Sequence, residues 1–587
     1  MKVMMRSVGA AACAAAIGWV FAPAALGQVA ALDRVPAGTP IVIAVPSLAR
    51  FQAAMNTVAQ TFGMPMDFGP MAEMSKAVNL AGLNQNGSAA LAIMAGEDGR
   101  VDFENEPPMV LLLPVSDYAK FIEAGGGDAS AAVAEVDPFE EGEPAYAKNL
   151  GGGYVAMGPD KDVIEAFKGA PGNAAAHKAF LGANGGAAVD ASALSIVASI
   201  QALSPDINQA MEGFKQQLAM VAEMGGGNMA GQVAAMEAFV TALTRDGQSV
   251  VLGFGVGDTG MSLNLAAQFK EGSEAAGFLA AKGAAGGLLD RVPNQPYLFA
   301  FAMDTSSAGI KALMKKATQG AANADPEAAK AMGLTDAMMK QLDSVDGMSM
   351  MMGVSPAMMM TGLFANSTLF VKTKDAKGYA AAMKDMCGKM DGQTVQGFTY
   401  KTSYATAAKK VEGVTVDEWS LKMEPDPNDP AAAQAMMAMS AVFGPEGGFN
   451  GYIAPAESGL VFTYAKNDQL LGQALAAAKG GGLGADAGVK TVDAALPSDR
   501  TLEGYIGIGQ ILDMVMGFAA MVGGPALNVE IPDDLPPIGM GASTHSGGAR
   551  MVVFAPTRVL TTIQQLIQEA QQGADGNPGN PAGQPRF

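Results

Sequence analysis

A pentapeptide that occurs twice constrains this chain more than any other feature. Leu32-Asp33-Arg34-Val35-Pro36 returns as Leu289-Asp290-Arg291-Val292-Pro293, 257 residues later. Each copy precedes an apolar run, Ile41 to Val45 in one and Tyr297 to Ala302 in the other. An internal repeat of this kind signals a duplicated fold unit. The parallel continues: Leu111, Leu113, Asp117 and Phe121 match Leu369, Val371, Asp375 and Tyr379, each 258 residues on. In both copies a β-rich run meets an Asp and then a helical pattern. Asp is a favoured N-cap because its carboxylate accepts from the free N–H groups of the first helical turn. Ser47 is expected to cap a helix carrying Leu48, Phe51 and Met55, and Asp304 one carrying Ile310, Leu313 and Met314. Farther on, Gly153-Tyr154-Val155 with Asp162-Val163-Ile164 aligns with Gly459-Leu460-Val461 and Asp468-Gln469-Leu470 at 306 residues, so the second copy carries about 48 extra. Gly253-Phe254-Gly255 and Gly539-Met540-Gly541 each open a hairpin.

The strands tend to come in adjacent pairs, which favours antiparallel hairpins. The predicted fold is therefore α+β: a tandem duplication of mostly antiparallel sheet units with helices packed on one face. The expected divisions are a signal peptide over 1–27, a first repeat over 28–287 and a second over 288–570, with an insertion near 391–450. A disordered tail over 571–587, rich in Gly, Pro, Asn and Gln, follows.

Strands are expected over Gly87 to Ala95, Met109 to Val115 and Tyr154 to Met157, and a helix over Asp160 to Phe167. Ile207, Met211, Phe214, Leu218 and Val221 recur at helical spacing and mark one apolar face. Ser249 to Phe254 and Met261 to Phe269 read as a hairpin. In the insertion, Val414, Val416, Trp419, Leu421 and Met423 are the expected inward positions. Asp429-Pro430 begins a helix as cap and first residue. The last helix starts near Thr557, with Val559, Ile563, Leu566 and Ile567 on one face.

The N-terminus has the form of an export signal. Lys2 and Arg6 form a positive segment, Val8 to Ala25 is apolar, and Ala25-Leu26-Gly27 offers small residues for cleavage before Gln28. The apolar run falls short of the ~20 residues a span needs, so no transmembrane span is expected after cleavage; an uncleaved anchor is the alternative. Cys13 sits too early in the run for a lipoprotein site. Beyond the signal only Cys387 remains, so no intramolecular disulfide can form and stability must come from core burial. Export with so few cysteines points to a bacterial periplasm or cell exterior. The net charge of −20 repels phosphates, and no basic stripe overrides it, so nucleic acid is not an expected partner.

Candidate chemistry is sparse. Gly255-Val256-Gly257-Asp258-Thr259-Gly260 matches G-x-G-x-x-G, but a dinucleotide site needs a helix next. Met261 to Leu265 alternates like a strand, so a hairpin turn is expected. Asp258-Thr259-Gly260 resembles the aspartic-protease triplet, yet no second triplet stands at the equivalent position to share a proton. His177 and His545 are the only histidines, too few for a multi-His zinc site. His545 lies beside Ser543 and Ser546, but the chain has no G-x-S-x-G elbow. Asp426-Pro427-Asn428-Asp429 lacks the Gly and distal Glu of a calcium loop. Methionine is unusually frequent at 41 residues. Met348, Met350, Met352, Met358 and Met360 are candidate soft ligands for Cu(I), against the simpler reading of Met as core filler. No cofactor and no catalytic residue is expected.

Arg34-Val35-Pro36-Ala37-Gly38-Thr39-Pro40, followed by the strand Ile41 to Val45, resembles the opening of a family of exported bacterial proteins known as a domain of unknown function. Its members begin with Leu-Pro-Ala-Asp-Thr and a strand, then a long series of strand–helix units. The Val251 to Phe269 hairpin is also similar to theirs. The resemblance implies export and no particular activity. The expected function is an exported, non-catalytic protein that binds an unknown protein or envelope component through a sheet or helix face. The alternatives are a periplasmic hydrolase with a site not visible in sequence, and a Met-based Cu(I)-binding protein.

Overall fold

The computed structural model describes residues 29–63, 81–96, 99–101, 107–137, 144–223, 240–324, 340–355, 361–395, 397–428, 430–444, 447–521 and 531–575. The predicted signal segment and most of the predicted tail lie outside them. In chain order the first elements are β1 (Ile41–Val45), α1 (Leu48–Phe62), β2 (Ala89–Ile93), β3 (Met109–Pro114), α2 (Tyr118–Ala124), β4 (Ala134–Val136), β5 (Ala145–Gly151), β6 (Tyr154–Gly158), α3 (Lys161–Ala166), α4 (Ala174–Ala191), β7 (Leu194–Ser199), α5 (Ile200–Glu223), β8 (Gly247–Val256), β9 (Gly260–Phe269) and α6 (Glu274–Phe278). There follow β10 (Tyr297–Asp304), α7 (Ala308–Ala324), β11 (Val345–Gly353), β12 (Ser367–Thr373), α8 (Ala376–Met390), β13 (Thr394–Val395), β14 (Phe398–Val411), β15 (Val414–Pro425) and α9 (Pro430–Phe443). The chain closes with β16 (Gly448–Ala456), β17 (Gly459–Thr463), α10 (Asp468–Ala477), α11 (Ala487–Asp493), β18 (Arg500–Ile506), α12 (Ile508–Met521), β19 (Ile538–His545), β20 (Gly548–Pro556) and α13 (Thr557–Asp575).

All 20 strands join one open antiparallel sheet. Its order is β4-β5-β6-β3-β2-β1-β7-β8-β9, then β20-β19-β18-β10-β11-β12-β17-β16-β15-β14-β13. Read outward from the β9–β20 seam, the two sides have the same connectivity as far as β4 and β15. The second side adds β13 and β14, within the stretch expected as an insertion.

The registers follow the same rule. Ala44 faces Ala90 and Ser195, and Ala302 faces Ser349 and Glu503. Ser195 faces Gly253, and Glu503 faces Gly541. Gly253 faces Asn264, and Gly541 faces Val552. Asn264 and Val552 then face each other. Two sequence alignments need correction. Tyr154 lies opposite Pro114 and Gly459 opposite Lys372,. At 258 residues Pro114 matches Lys372, so Tyr154 corresponds to Gly459, one residue from the textual match. A one-residue slip exchanges the two faces of a strand, so packing rejects it. Likewise Gly253 corresponds to Gly541, not Gly539. Glycine-rich text matches itself at several offsets, and only the pleat chooses among them.

Helices cover both faces of the sheet, which corrects the expectation of one. On one face Val42, Ala44, Ala90, Leu112, Val197 and Val251 pack with Leu181, Ala188 and Val189 of α4. The matching face of the second side packs Ala300, Ala302, Met351 and Phe370 against α10 and α11 through Leu471, Leu475, Val489 and Val492. The opposite face packs Val45, Leu113 and Met157 against Leu48 and Phe51 of α1 and Phe121 of α2. Strands β6 and β17 are buried on both sides along their whole length. At roughly 25 cal/mol per Å² of apolar surface, two-sided burial is the chief stabilising term for so cysteine-poor a chain.

Local signals behave as expected in most places. Ser47 Oγ accepts from the Arg50 N–H, Asp117 from Lys120, Asp160 from Asp162 and Val163, and Asp375 from Gly378. Asp304 differs: its carboxylate accepts from the Ala284 and Ser306 N–H groups, and Ser307 Oγ accepts from Ile310 at the start of α7. In β15, Val416 and Trp419 are buried, whereas Val414, Leu421 and Met423 are half-buried. Asp429 lies outside the described residues. In α13, Val559 is buried but Ile567 is 53% exposed, and the helix runs on to Asp575 into the predicted tail. Helix α4 had no apolar period to announce it, because Ala174 to Ala191 is Ala- and Gly-rich.

The repeated pentapeptide is a clamp in both places. Asp33 Oδ1 accepts from the Gly172 and Ala174 N–H groups, and its carbonyl accepts from Asn173. Arg34 donates to the carbonyls of Leu150 and Gly169. In the second copy the Asp290 carbonyl accepts from Gly482, the Val292 carbonyl from Leu483, and Arg291 donates to the Ala478 carbonyl. Each copy fastens the chain before the first strand to the loop that leaves a helix.

Candidate functional site

The most polar part of the interior lies where the two sides meet. Asn264 on β9, Arg550 on β20, Ser543 on β19, and Arg500 and Glu503 on β18 stand on one face of neighbouring strands. Ser543 is the register partner of both Arg550 and Arg500. Asn264 is 1% exposed and Glu503 2%. Burying such groups unpaired costs several kcal/mol, so each needs a partner. Arg550 Nη2 donates to Asn264 Oδ1 at 2.6 Å. Arg500 donates to the carboxylates of Glu503 and Asp493 and, at 2.9 Å, to the Pro497 carbonyl. Tyr505 donates its hydroxyl to Asp493.

Burial pushes the Glu503 carboxyl up to about 7, against the opposing pull of Arg500, and the charges of Asp493 and Asp290 push the same way. Burial also lowers the Arg550 guanidinium, although Asp499 and Asp190 oppose this. On the first side Ser195 holds the register position of Glu503, and its buried hydroxyl has no hydrogen-bond partner among the described residues. Perturbed, buried acids often mark functional sites, though structural ion pairs perturb them too.

Beside this row the β19–β20 turn brings three reactive types together. His545 Nδ1 lies 3.4 Å from Ser546 Oγ, and Nε2 lies 3.8 Å from Asp499 Oδ2. Both separations exceed the 2.6–3.2 Å of an engaged relay. Asp499 is already bound by Lys282 at 3.0 Å; burial works against its ionisation, but the ammonium holds it below the usual carboxylate range. Ser546 and Gly547 have φ of 52° and 74°, as a two-residue hairpin turn with the right twist requires. The turn is docked: the Ser546 N–H donates to the Ala280 carbonyl, Asn184 donates to the His545 carbonyl, and Gln268 to that of Ser546.

The methionine candidates have ordinary surroundings. Met348, Met350 and Met352 alternate on β11 and share one half-buried face, while Met351 points the other way and is fully buried. Their register partners are Met303 and Val371, Phe301 and Leu369, Phe299 and Ser367. Met348 and Met352 are about 13 Å apart along the strand. Met358 and Met360 lie outside the described residues. Among the described residues, no three His, Cys, Asp or Glu are placed to hold a metal ion.

Other residues are structural. His177 is 3% exposed, with Nε2 at 2.8 Å from the Val35 carbonyl, and burial lowers its basicity. Cys387 is buried in α8, and burial raises its thiol. Gly255 to Gly260 closes the β8–β9 hairpin, with strand β9 where a nucleotide site needs a helix. Asp426 accepts from the Asn428 N–H in a local turn. Arg500, Glu503, Asp493, Asn264 and Arg550 belong to no motif that sequence reasoning recognises. Their signal was a charge inside strongly β-like text, as in Arg500-Thr501-Leu502-Glu503-Gly504-Tyr505-Ile506. No family model, no curated protein and no solved structure matches the chain. No described helix is long and apolar enough to cross a membrane.

Proposed function

We propose that this is an exported, non-catalytic binding protein made by tandem duplication of one α+β unit. The units correspond to residues 28–287 and 288–570, and export is what the resemblance to exported bacterial proteins implies. The common strand order about the seam and the paired clamps support duplication. The binding element we assign is the sheet face opposite the charged row. The observation that carries it is the pair Leu265 and Met551, register partners across the seam, 38% and 37% exposed. Large apolar side chains at the middle of a sheet, rather than its margin, mark an interaction surface. With a net charge of −20, the fitting partner is a protein with an apolar centre and a basic rim, since anionic lipid is repelled. A photo-crosslinker at position 265 in the native envelope tests this. One protein adduct that Met551→Asp abolishes supports it; a crosslinked second copy of this chain, or no adduct, sinks it.

The second reading is a hydrolase, favoured by the alignment of Ser546, His545 and Asp499. Its measurement is fluorophosphonate labelling of the full protein. Labelling that Ser546→Gly removes supports it, and an unlabelled chain rules against a serine nucleophile here.

A further inference from the structure

The cover over the arginine differs between the two clamps and leaves a cavity in the second. In the first copy the Arg34 guanidinium lies 4.9 Å from the centre of the Tyr154 ring, and the Tyr154 hydroxyl is 2.9 Å from Ser88 Oγ. Arg34 is 7% exposed, so ring and carbonyls seal it. The registers match Tyr154 to Gly459 and Pro114 to Lys372. The second clamp therefore lacks its aromatic cover and gains a second cation. In that place is a pocket of about 160 Å³ lined by Arg291, Lys372, Ser458, Gly286, Gly287 and Phe370, among others. It has room for roughly five waters' share of liquid volume.

We propose that this pocket binds a small oxyanion, a phosphate-like or carboxylate group. Arg291 gives one hydrogen bond to the Ala478 carbonyl and has no carboxylate partner among the described residues. The Lys372 ammonium has no hydrogen-bond or ion-pair partner among them either, its backbone being held in the β12 ladder. An acidic chain with two unpaired cations on one cavity is positioned to hold an anion, and guanidinium matches the geometry of oxyanions. The backbone N–H groups of Gly286 and Gly287 also lack partners among the described residues, and successive free N–H groups in a turn form anion-binding concavities. Ser458 supplies a hydroxyl from a left-handed conformation, φ 64°, where the first copy has Gly153. Asp290 lies behind Gly287, its Oδ2 4.0 Å from where a Cβ there would be. It offsets part of the positive charge and favours a small anion over a polyanion.

The test is calorimetry of the full chain with inorganic phosphate, sulfate and acetate separately, at constant ionic strength. At least one should bind with one-to-one stoichiometry. Lys372→Gln should weaken it about tenfold, the factor of one charge-assisted hydrogen bond, and Ser458→Gly by less. Phosphate and sulfate binding without acetate identifies a phosphoryl-type ligand; acetate alone identifies a carboxylate. No binding of any of the three, or equal affinity in Lys372→Gln with an unchanged melting temperature, overturns the proposal. Lys372 is exposed, so the variant keeps the fold. The outcome is independent of what docks at Leu265 and Met551.

Discussion

Asn264 on β9 and Val552 on β20 face each other across the seam, and each is the other's counterpart in the sheet order. The walk from β1 to β9 and the walk from β10 to β20 end on the same pair. The strand order is therefore pseudo-symmetric about this pair, while the two residues themselves differ. Asn264 accepts from Arg550, whereas Val552 joins the apolar cluster of the second side.

Asn264→Leu is accordingly predicted to destabilise strongly. It removes the acceptor of a largely buried guanidinium, at a cost of about 3 kcal/mol. The double variant Asn264→Leu, Arg550→Met should recover most of the loss. Thermal unfolding of the four proteins measures the coupling, and additive effects would show that the two side chains act separately.

Glu503 makes stability depend on pH. The folded carboxyl, at about 7, holds its proton more tightly than the unfolded one near 4.5. Its contribution is complete below about pH 4.5 and is lost as pH rises through 7. Glu503→Gln should flatten the fall between pH 5 and 8 by on the order of 2 kcal/mol. Melting curves across that range are the measurement, and parallel slopes in both proteins would refute the assignment.

The clamps should not be equally sensitive. Arg34 is sealed under Tyr154 and bound to two carbonyls, so Arg34→Ala should cost about 3 kcal/mol. Arg291 borders an open pocket, and Arg291→Ala should cost about 1 kcal/mol. Denaturant midpoints compare them, and equal losses would contradict the difference in sealing.

Met348 and Met350 lie between apolar register partners and Met352 between Phe299 and Ser367, along about 13 Å of strand. Cu(I) titration against a mild competitor should leave no metal on the protein. Retention of one equivalent that Met350→Leu abolishes would support the copper reading.

Signals carried by neighbours in the chain were legible from residue types alone. Ser47, Asp117, Asp160 and Asp375 cap helices because their acceptors reach N–H groups two or three residues on. The β8–β9 and β19–β20 hairpins follow from turn chemistry and alternation, and the pentapeptide marked two stretches with the same strand order. Pairings between residues about 40 to 200 positions apart settled the rest. Whether Tyr154 matches Gly459 or Leu460, which face each helix covers, and why Glu503 titrates high all depend on strand register. That register is chosen by packing against residues far away in the chain, and a glycine- and alanine-rich text has too little side-chain pattern to announce it. Only the joined sheet decided that one arginine of the repeated motif is sealed and the other left open.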